Sequence, residues 1–204
     1  DKLIQNKYLE LAIEYAIQLG YKNIADYFFD NFEKFNNLNY KLSLNFVKSA
    51  LSSSFMNNDD QLFNFLIDQF KKLCPEIINL NLYKDLINYA CLYSNLSATK
   101  MITDIILKEN QEYDFSSAFI SASSSGSSSI CHYLIDKKVN IDYDKLSNRF
   151  FEIGLIDADL FKLILSNVSP NSKRRFLNCI NQAIQNKNKT LIELLLKEKA
   201  PIQN

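Results

Sequence analysis

One arrangement of apolar and polar positions returns six times along the chain: an apolar residue, two variable residues, then two or three apolar residues. It reads Ile24-Ala-Asp-Tyr27-Phe28-Phe29, then Leu62-Phe-Asn-Phe65-Leu66-Ile67, then Ile102-Thr-Asp-Ile105-Ile106-Leu107. It continues as Ile130-Cys-His-Tyr133-Leu134-Ile135, Leu160-Phe-Lys-Leu163-Ile164-Leu165 and Leu191-Ile-Glu-Leu194-Leu195-Leu196. Apolar residues at i, i+3 and i+4 predict one buried stripe of a helix. Successive starts lie 38, 40, 28, 30 and 31 residues apart.

A second stripe precedes the first, with apolar residues around a small one: Ile13/Ala16/Ile17, Val47/Ala50/Leu51, Ile87/Ala90/Cys91, Phe119/Ala122 and Ile180/Ala183/Ile184. The alanine marks where two helices approach closely. It stands 8 residues before the next stripe in the first, fourth and sixth units, and 12 before it in the second and third. Four residues are about one helical turn, so the second and third units are expected to have longer inner helices or longer turns. The fifth unit lacks the alanine; Phe150, Phe151 and Gly154 stand in its place. Each unit thus reads as helix, tight turn, helix and polar finger. None can bury both stripes alone, which predicts an all-α stack of repeats.

The segment Gly126-Ser-Ser-Ser-Ile130-Cys-His-Tyr133-Leu134-Ile135-Asp-Lys-Lys-Val-Asn-Ile141-Asp resembles the second half of an ankyrin repeat. Lys187 to Ile202 and Gly20 to Phe29 are similar. The resemblance covers nearly the whole chain as about six units: 7–38, 40–80, 82–114, 115–144, 145–171 and 172–204. It implies an ankyrin-like helical-repeat solenoid in a single domain, 1–204. The Thr-Pro-Leu-His start of the inner helix is absent from every unit, so irregular finger loops are expected in place of regular β-fingers. The later spacings sit near the ankyrin value of roughly 33, whereas 38 and 40 keep a HEAT-like reading open for the first half.

Composition narrows the chemistry. Three glycines and three prolines are too few for an all-β sandwich or a glycine-rich phosphate loop. With 23 basic and 23 acidic residues there is no basic surplus for phosphate binding, so no nucleic-acid partner is expected. Cys74, Cys91, Cys131 and Cys179 are widely spaced and His132 is the only histidine, a pattern without metal-ligand spacing. Reduced thiols packed as small apolar groups fit a cytoplasmic protein. No apolar run reaches the roughly 18 residues that span a bilayer. Asp1 in place of Met predicts a piece of a longer chain.

His132, flanked by the stripe residues Ile130 and Tyr133, is expected to face outward, with no second imidazole to complete a catalytic arrangement. The pairs Asp59/Asp60, Asp142/Asp144 and Asp157/Asp159 sit in turns or at helix starts, where carboxylates cap exposed N–H groups. Lys173-Arg174-Arg175 reads as a solvated basic face, and the serine-rich stretch Ser116–Ser129 as an inner helix and turn.

No catalytic, cofactor-binding or metal-binding residue and no small-molecule substrate are expected. The remaining signal is aromatic. Tyr93 and Leu92, just past Ala90, and Leu19, at the like place past Ala16, match positions that ankyrin repeats expose on a concave face. Tyr113, Phe115 and Tyr143, with Phe32, Phe35 and Tyr40, fall in the fingers. Leu19, Leu92, Tyr93, Tyr113, Phe115 and Tyr143 are therefore the candidate anchors for a protein partner. The alternatives are a regulatory or structural segment of a larger enzyme, or a host-directed effector of an intracellular microbe acting in host cytoplasm.

Overall fold

The computed structural model describes residues 2–32, 41–57, 59–145, 158–169, 180–185 and 187–197. These residues are predominantly helical, and the only strand-like feature among them is an isolated parallel bridge between Asp114 and Asn140. The chain is all-α. It divides into two compact bodies, Asp1–Glu109 and Asn110–Asn204.

Among its described residues the first body contains three helical hairpins. Helix α1 (Lys2–Gln18) pairs with α2 (Lys22–Asp30), α3 (Leu44–Met56) with α4 (Asp60–Leu73), and α5 (Leu80–Leu92) with α6 (Leu96–Glu109). The inner helices pack in the order α1, α3, α5, and α4 packs on α6 in the outer layer. Phe29 of α2 meets the rings of Phe65 and Phe70 on α4 edge-on at 5.8 and 5.3 Å. The second body holds α7 (Ser116–Ser124) paired with α8 (Ser128–Asp136), a single 3-10 turn (Tyr143–Lys145), α9 (Ala158–Asn167), and α10 (Ile180–Gln185) paired with α11 (Lys189–Lys197). There α9 packs on both α8 and α11.

The inner stripe is buried as its spacing predicts: Ile13, Ala16 and Ile17, then Val47, Ala50 and Leu51, then Ile87, Ala90 and Cys91, then Phe119 and Ala122. In α10, Ala183 is buried but Ile184 is exposed. The outer stripe departs in phase. The first, second and fifth residues of the pattern carry the core, as in Leu62/Phe63/Leu66, Ile130/Cys131/Leu134 and Leu160/Phe161/Ile164. The fourth (Phe65, Ile105, Tyr133, Leu163, Leu194) is only half-buried, because at about 100° per residue it falls on the edge of that face. In α2 the expected Ile24 and Tyr27 are exposed, and Ala25, Phe28, Phe29 and Phe32 form the stripe instead. Phe32, expected in a finger, is buried against Phe28 at 5.5 Å.

Four inner helices end in the same turn. After α1, Gly20 N–H donates to Ile17 O (2.9 Å) and Tyr21 N–H to Ala16 O (2.8 Å). The same pair of bonds joins Ser94 and Asn95 to Cys91 and Ala90, Gly126 and Ser127 to Ser123 and Ala122, and Lys187 and Asn188 to Ile184 and Ala183. This is a Schellman closure, which places one residue in the left-handed region: Gly20 (φ 75°), Ser94 (60°), Gly126 (73°) and Lys187 (54°). The alanine of each of these inner stripes is the residue whose carbonyl receives the wider-spanning bond, from the N–H five residues on. The following residue caps the outer helix in two of the four: Asn95 Oδ1 accepts from Ala98 N–H (2.9 Å) and Asn188 Oδ1 from Leu191 N–H (3.0 Å).

These closures locate the extra turns. In the second hairpin the inner helix α3 runs on to Met56, one turn further past its alanine than its counterparts. In the third, α5 closes at the usual place and the added turn lies at the start of the outer helix, with α6 beginning at Leu96, well before Ile102. The expectation of a longer inner helix or connecting turn therefore holds for the second hairpin but not for the third.

Phe35, Tyr40, Phe150, Phe151, Gly154, Asp157, Lys173-Arg174-Arg175, Cys179 and Ile202 lie outside the described residues.

Candidate binding surface of the inner helices

Within the first body, the inner helices α1, α3 and α5 present three zones of accessible side chains. At the N-terminal ends of the helices a groove of about 500 Å³ runs between α1 and α3. Lys7, Glu10, Leu11 and Glu14 form one wall, at i, i+3, i+4 and i+7 of one helix face; Asn45, Phe46 and Ser49 form the other. Ser49 Oγ donates to Glu14 Oε1 across it.

In the middle, Lys48 Nζ reaches Asp85 Oδ2 at 2.8 Å and lies 5.9 Å from the centre of the Tyr89 ring. The ammonium thus joins α3 to α5 by one ion pair and one cation–π contact. Both partners are solvent-accessible, so the pair fixes geometry more than it adds stability.

At the C-terminal ends stand exposed Leu19, Met56, Leu92 and Tyr93, with Tyr89 close behind. Leu19 and Tyr93 occupy equivalent places, each three residues past the stripe alanine. In the second hairpin that place is taken by Ser53, which is buried, because α3 continues as helix and carries its exposed apolar residue one turn further, at Met56. Gln18 Nε2 contacts the Met56 sulfur at 3.8 Å.

The finger aromatics of the second body go elsewhere. Phe115 is fully buried and belongs to the core rather than to a docking surface. With Phe119 and Ala122 it makes an i, i+4, i+7 series, the spacing of a buried helical face. Tyr113 is half-buried, perpendicular to Phe115 at 4.8 Å. Tyr143 lies over Phe119 at 6.1 Å, and burial raises its phenol above the ordinary tyrosine range. These rings cover the end of α7. His132 is half-buried rather than outward-facing, because its neighbour Cys131 turns into the core.

The fingers carry a polar network. Asp114 Oδ1 accepts from the N–H and the hydroxyl of Ser116, and Lys145 Nζ lies 2.8 Å from Asp114 Oδ2 and 3.4 Å from Asp142 Oδ2. The Lys145 ammonium and the Ser116 hydroxyl lower the Asp114 carboxyl to about 2. Ser116 Oγ in turn accepts from Asp142 N–H at 2.8 Å, and Asp144 Oδ1 from Ser169 N–H at 2.9 Å. Asp142 thus ties its loop to Ser116 through its backbone N–H, and Asp144 ties its loop to Ser169 through its carboxylate. Asp59 caps α4, taking the N–H groups of Gln61 and Leu62 at 3.0 Å each. These are structural roles for carboxylates, with their oxygens committed to backbone N–H groups, the Ser116 hydroxyl and the Lys145 ammonium.

Among the described residues no group of three or more histidine, cysteine, aspartate or glutamate side chains gathers as a metal site, and no helix is long and apolar enough to cross a membrane. Cys74, Cys91 and Cys131 are buried; burial and the nearby Glu76 push the Cys74 thiol up to about 11.

Counting past each alanine points to Leu19, Leu92 and Tyr93, which the structure leaves exposed; the same count does not single out exposed Tyr89 and Met56, or Phe46 in the groove wall. Tyr89 immediately precedes Ala90 and lies on the side of α5 facing α3, a signal that the alanine itself offered.

Comparison of the chain with protein-family models, with curated proteins and with solved structures finds no match.

Proposed function

We propose that this chain is an ankyrin-like helical-repeat solenoid that binds a protein partner along its inner helices. The observation that carries the reading is the set of exposed large apolar side chains, Leu19, Met56, Tyr89, Leu92 and Tyr93, at or near the C-terminal ends of three adjacent inner helices. Rigid aromatics and a methionine bury much area at low entropic cost, and the mixed charges around them supply a polar rim. The repeated alanine-anchored closure supports a repeat origin for the hairpins. Buried reduced thiols suit a cytoplasmic setting.

The test is selection of binding peptides from a displayed library against the intact chain. The affinity of selected peptides is then compared between the natural chain and the double variant Leu92→Ala/Tyr93→Ala. Loss of roughly tenfold or more, with Lys100→Ala on α6 as an unaffected control, is expected for hot-spot residues. Unchanged affinity in the double variant removes this surface as the site.

A further inference from the structure

The groove between α1 and α3 holds a carboxylate whose charge is uncompensated. Glu14 is half-buried, and Ser49 Oγ, donating from the opposite wall, takes one of its oxygens, Oε1. No cation pairs with Glu14 among the described residues. Lys48, one residue before Ser49, is drawn instead to Asp85 and the Tyr89 ring on α5. Lys7, the one cation among the lining residues, stands seven residues from Glu14, about two turns away along α1. Glu10, about one turn from Glu14, adds a second carboxylate to the same wall.

The opposite wall is neutral. Asn45 and Ser49 supply polar atoms, and the buried Phe46 an apolar lining. The Ser43 hydroxyl is committed to the Phe46 N–H at 3.1 Å. A space of about 500 Å³ with apolar lining beside a fixed anion matches a side chain that joins a hydrocarbon stem to a cationic head. Withdrawing a carboxylate from water without a counter-charge is unfavourable, and a bound cation relieves that cost.

We propose that this groove receives a basic side chain, lysine or arginine, of the protein segment that docks on the inner helices. The inference rests on the inner-helix binding reading and adds the partner's chemistry to it. Glu14 stands five residues before Leu19, about 8 Å along the helix axis, and Ser49 seven before Met56, about 10 Å. An extended segment covers about 3.3 Å per residue. A segment lying along these helices therefore carries its basic residue about two or three positions from its apolar anchor.

Fluorescein-labelled peptides, selected from a displayed random library on the intact natural chain, test this by fluorescence anisotropy. They are expected to be enriched in arginine or lysine about two or three positions from a large apolar residue. Glu14→Gln removes the charge but keeps an oxygen to accept from Ser49, and is expected to weaken binding about tenfold. Replacing the peptide's basic residue with glutamine should weaken it as much, and the two changes together should cost no more than either alone. Added salt should weaken binding to the natural chain more than binding to Glu14→Gln. Circular dichroism checks that the variant folds, and the peptide substitution probes the same contact with the natural chain untouched. Peptides that need Leu92 and Tyr93 but bind Glu14→Gln as tightly overturn this inference and leave the inner-helix surface standing. Selected peptides without basic residues, or costs of the two changes that simply add, overturn it as well. Peptides that lose affinity on Glu14→Gln but not on Leu92→Ala/Tyr93→Ala support the groove contact and overturn the inner-helix reading at its apolar end.

Discussion

The side-chain amide of Asn57 donates to the carbonyl oxygen of Ile17 at 2.9 Å, and to that of Gln18 at the same distance. The residue after the extra turn of α3 thus reaches the end of its neighbour α1, giving Ile17 O a second donor beside Gly20 N–H and giving Gln18 O a donor from outside its own helix. Gly20 lies beside this amide, with a Cβ there reaching 3.6 Å from Asn57 Cγ. Asn57→Ala is expected to destabilise the chain by about 1 kcal/mol, and Asn57→Asp by more, since a carboxylate has no proton to offer two carbonyls. Urea unfolding midpoints measure both; a midpoint unmoved by Asn57→Asp would contradict the capping role.

Two threonines one turn apart on α6 make an opposed pair. Thr99 Oγ1 donates to Asn95 O at 2.8 Å and lies 3.8 Å from Cys91 Sγ, whereas the equally buried Thr103 Oγ1 has no hydrogen-bond partner. Thr103→Val is expected to stabilise by about 1 kcal/mol, because it removes an unmet buried hydroxyl at nearly constant shape. Thr99→Val is expected to cost a similar amount. Thermal unfolding of the two variants in parallel checks the opposite signs.

Asp114 sets a pH dependence. Its folded pKa, about 2, lies below the ordinary 3.8, so the stability it contributes is fully present above the unfolded value and lost as pH falls through the folded one. The Asp114→Asn variant should be less stable than the natural chain near neutral pH, and the gap should close as pH drops from 3.8 to about 2. The carboxylate and Lys145 are both solvent-accessible, so the gap should also shrink with added salt. A gap that persists at the acid end would assign the loss to something other than the charge.

The shared closure makes a signed prediction for its left-handed residue. Gly126→Ala forces a side chain into φ 73° and is expected to cost about 1 kcal/mol. Lys187, exposed at φ 54°, already bears that strain, and Lys187→Gly is expected to gain up to about 1 kcal/mol. Equal signs for the two substitutions would break the equivalence of the turns.

Helix type and the positions of the described inner helices are legible because alanine and its apolar neighbours keep a strict spacing in them. The outer stripes were read one residue out of phase, since several adjacent apolar residues, such as Tyr27-Phe28-Phe29, leave the centre of the buried face undetermined by period alone. Phe115 was assigned to a finger because it precedes the helix. Its i, i+4 relation to Phe119 was the better guide. Leu19, Leu92 and Tyr93 were placed on the exposed side by counting from the alanine, whereas Met56 depends on which of two helices holds an added turn, and both alternatives give the same spacing between stripes. The network of Asp114, Ser116, Asp142 and Lys145 needed coordinates, because loop backbone brings together residues that no periodicity links.

The added turns of α3 and α6 have a consequence for how this chain tolerates insertions. Each sits beside the inner-to-outer connection, one before it and one after it, and each is close to a whole revolution of helix. Lengthening by that quantum advances the chain along its axis while returning the apolar stripe almost to its starting azimuth. Removing a single residue there would instead swing Leu62 or Ile102 by about 100° out of the core. Insertions and deletions at this edge should therefore be accepted in multiples close to four residues, so that the edge can vary in height while the buried seam stays fixed.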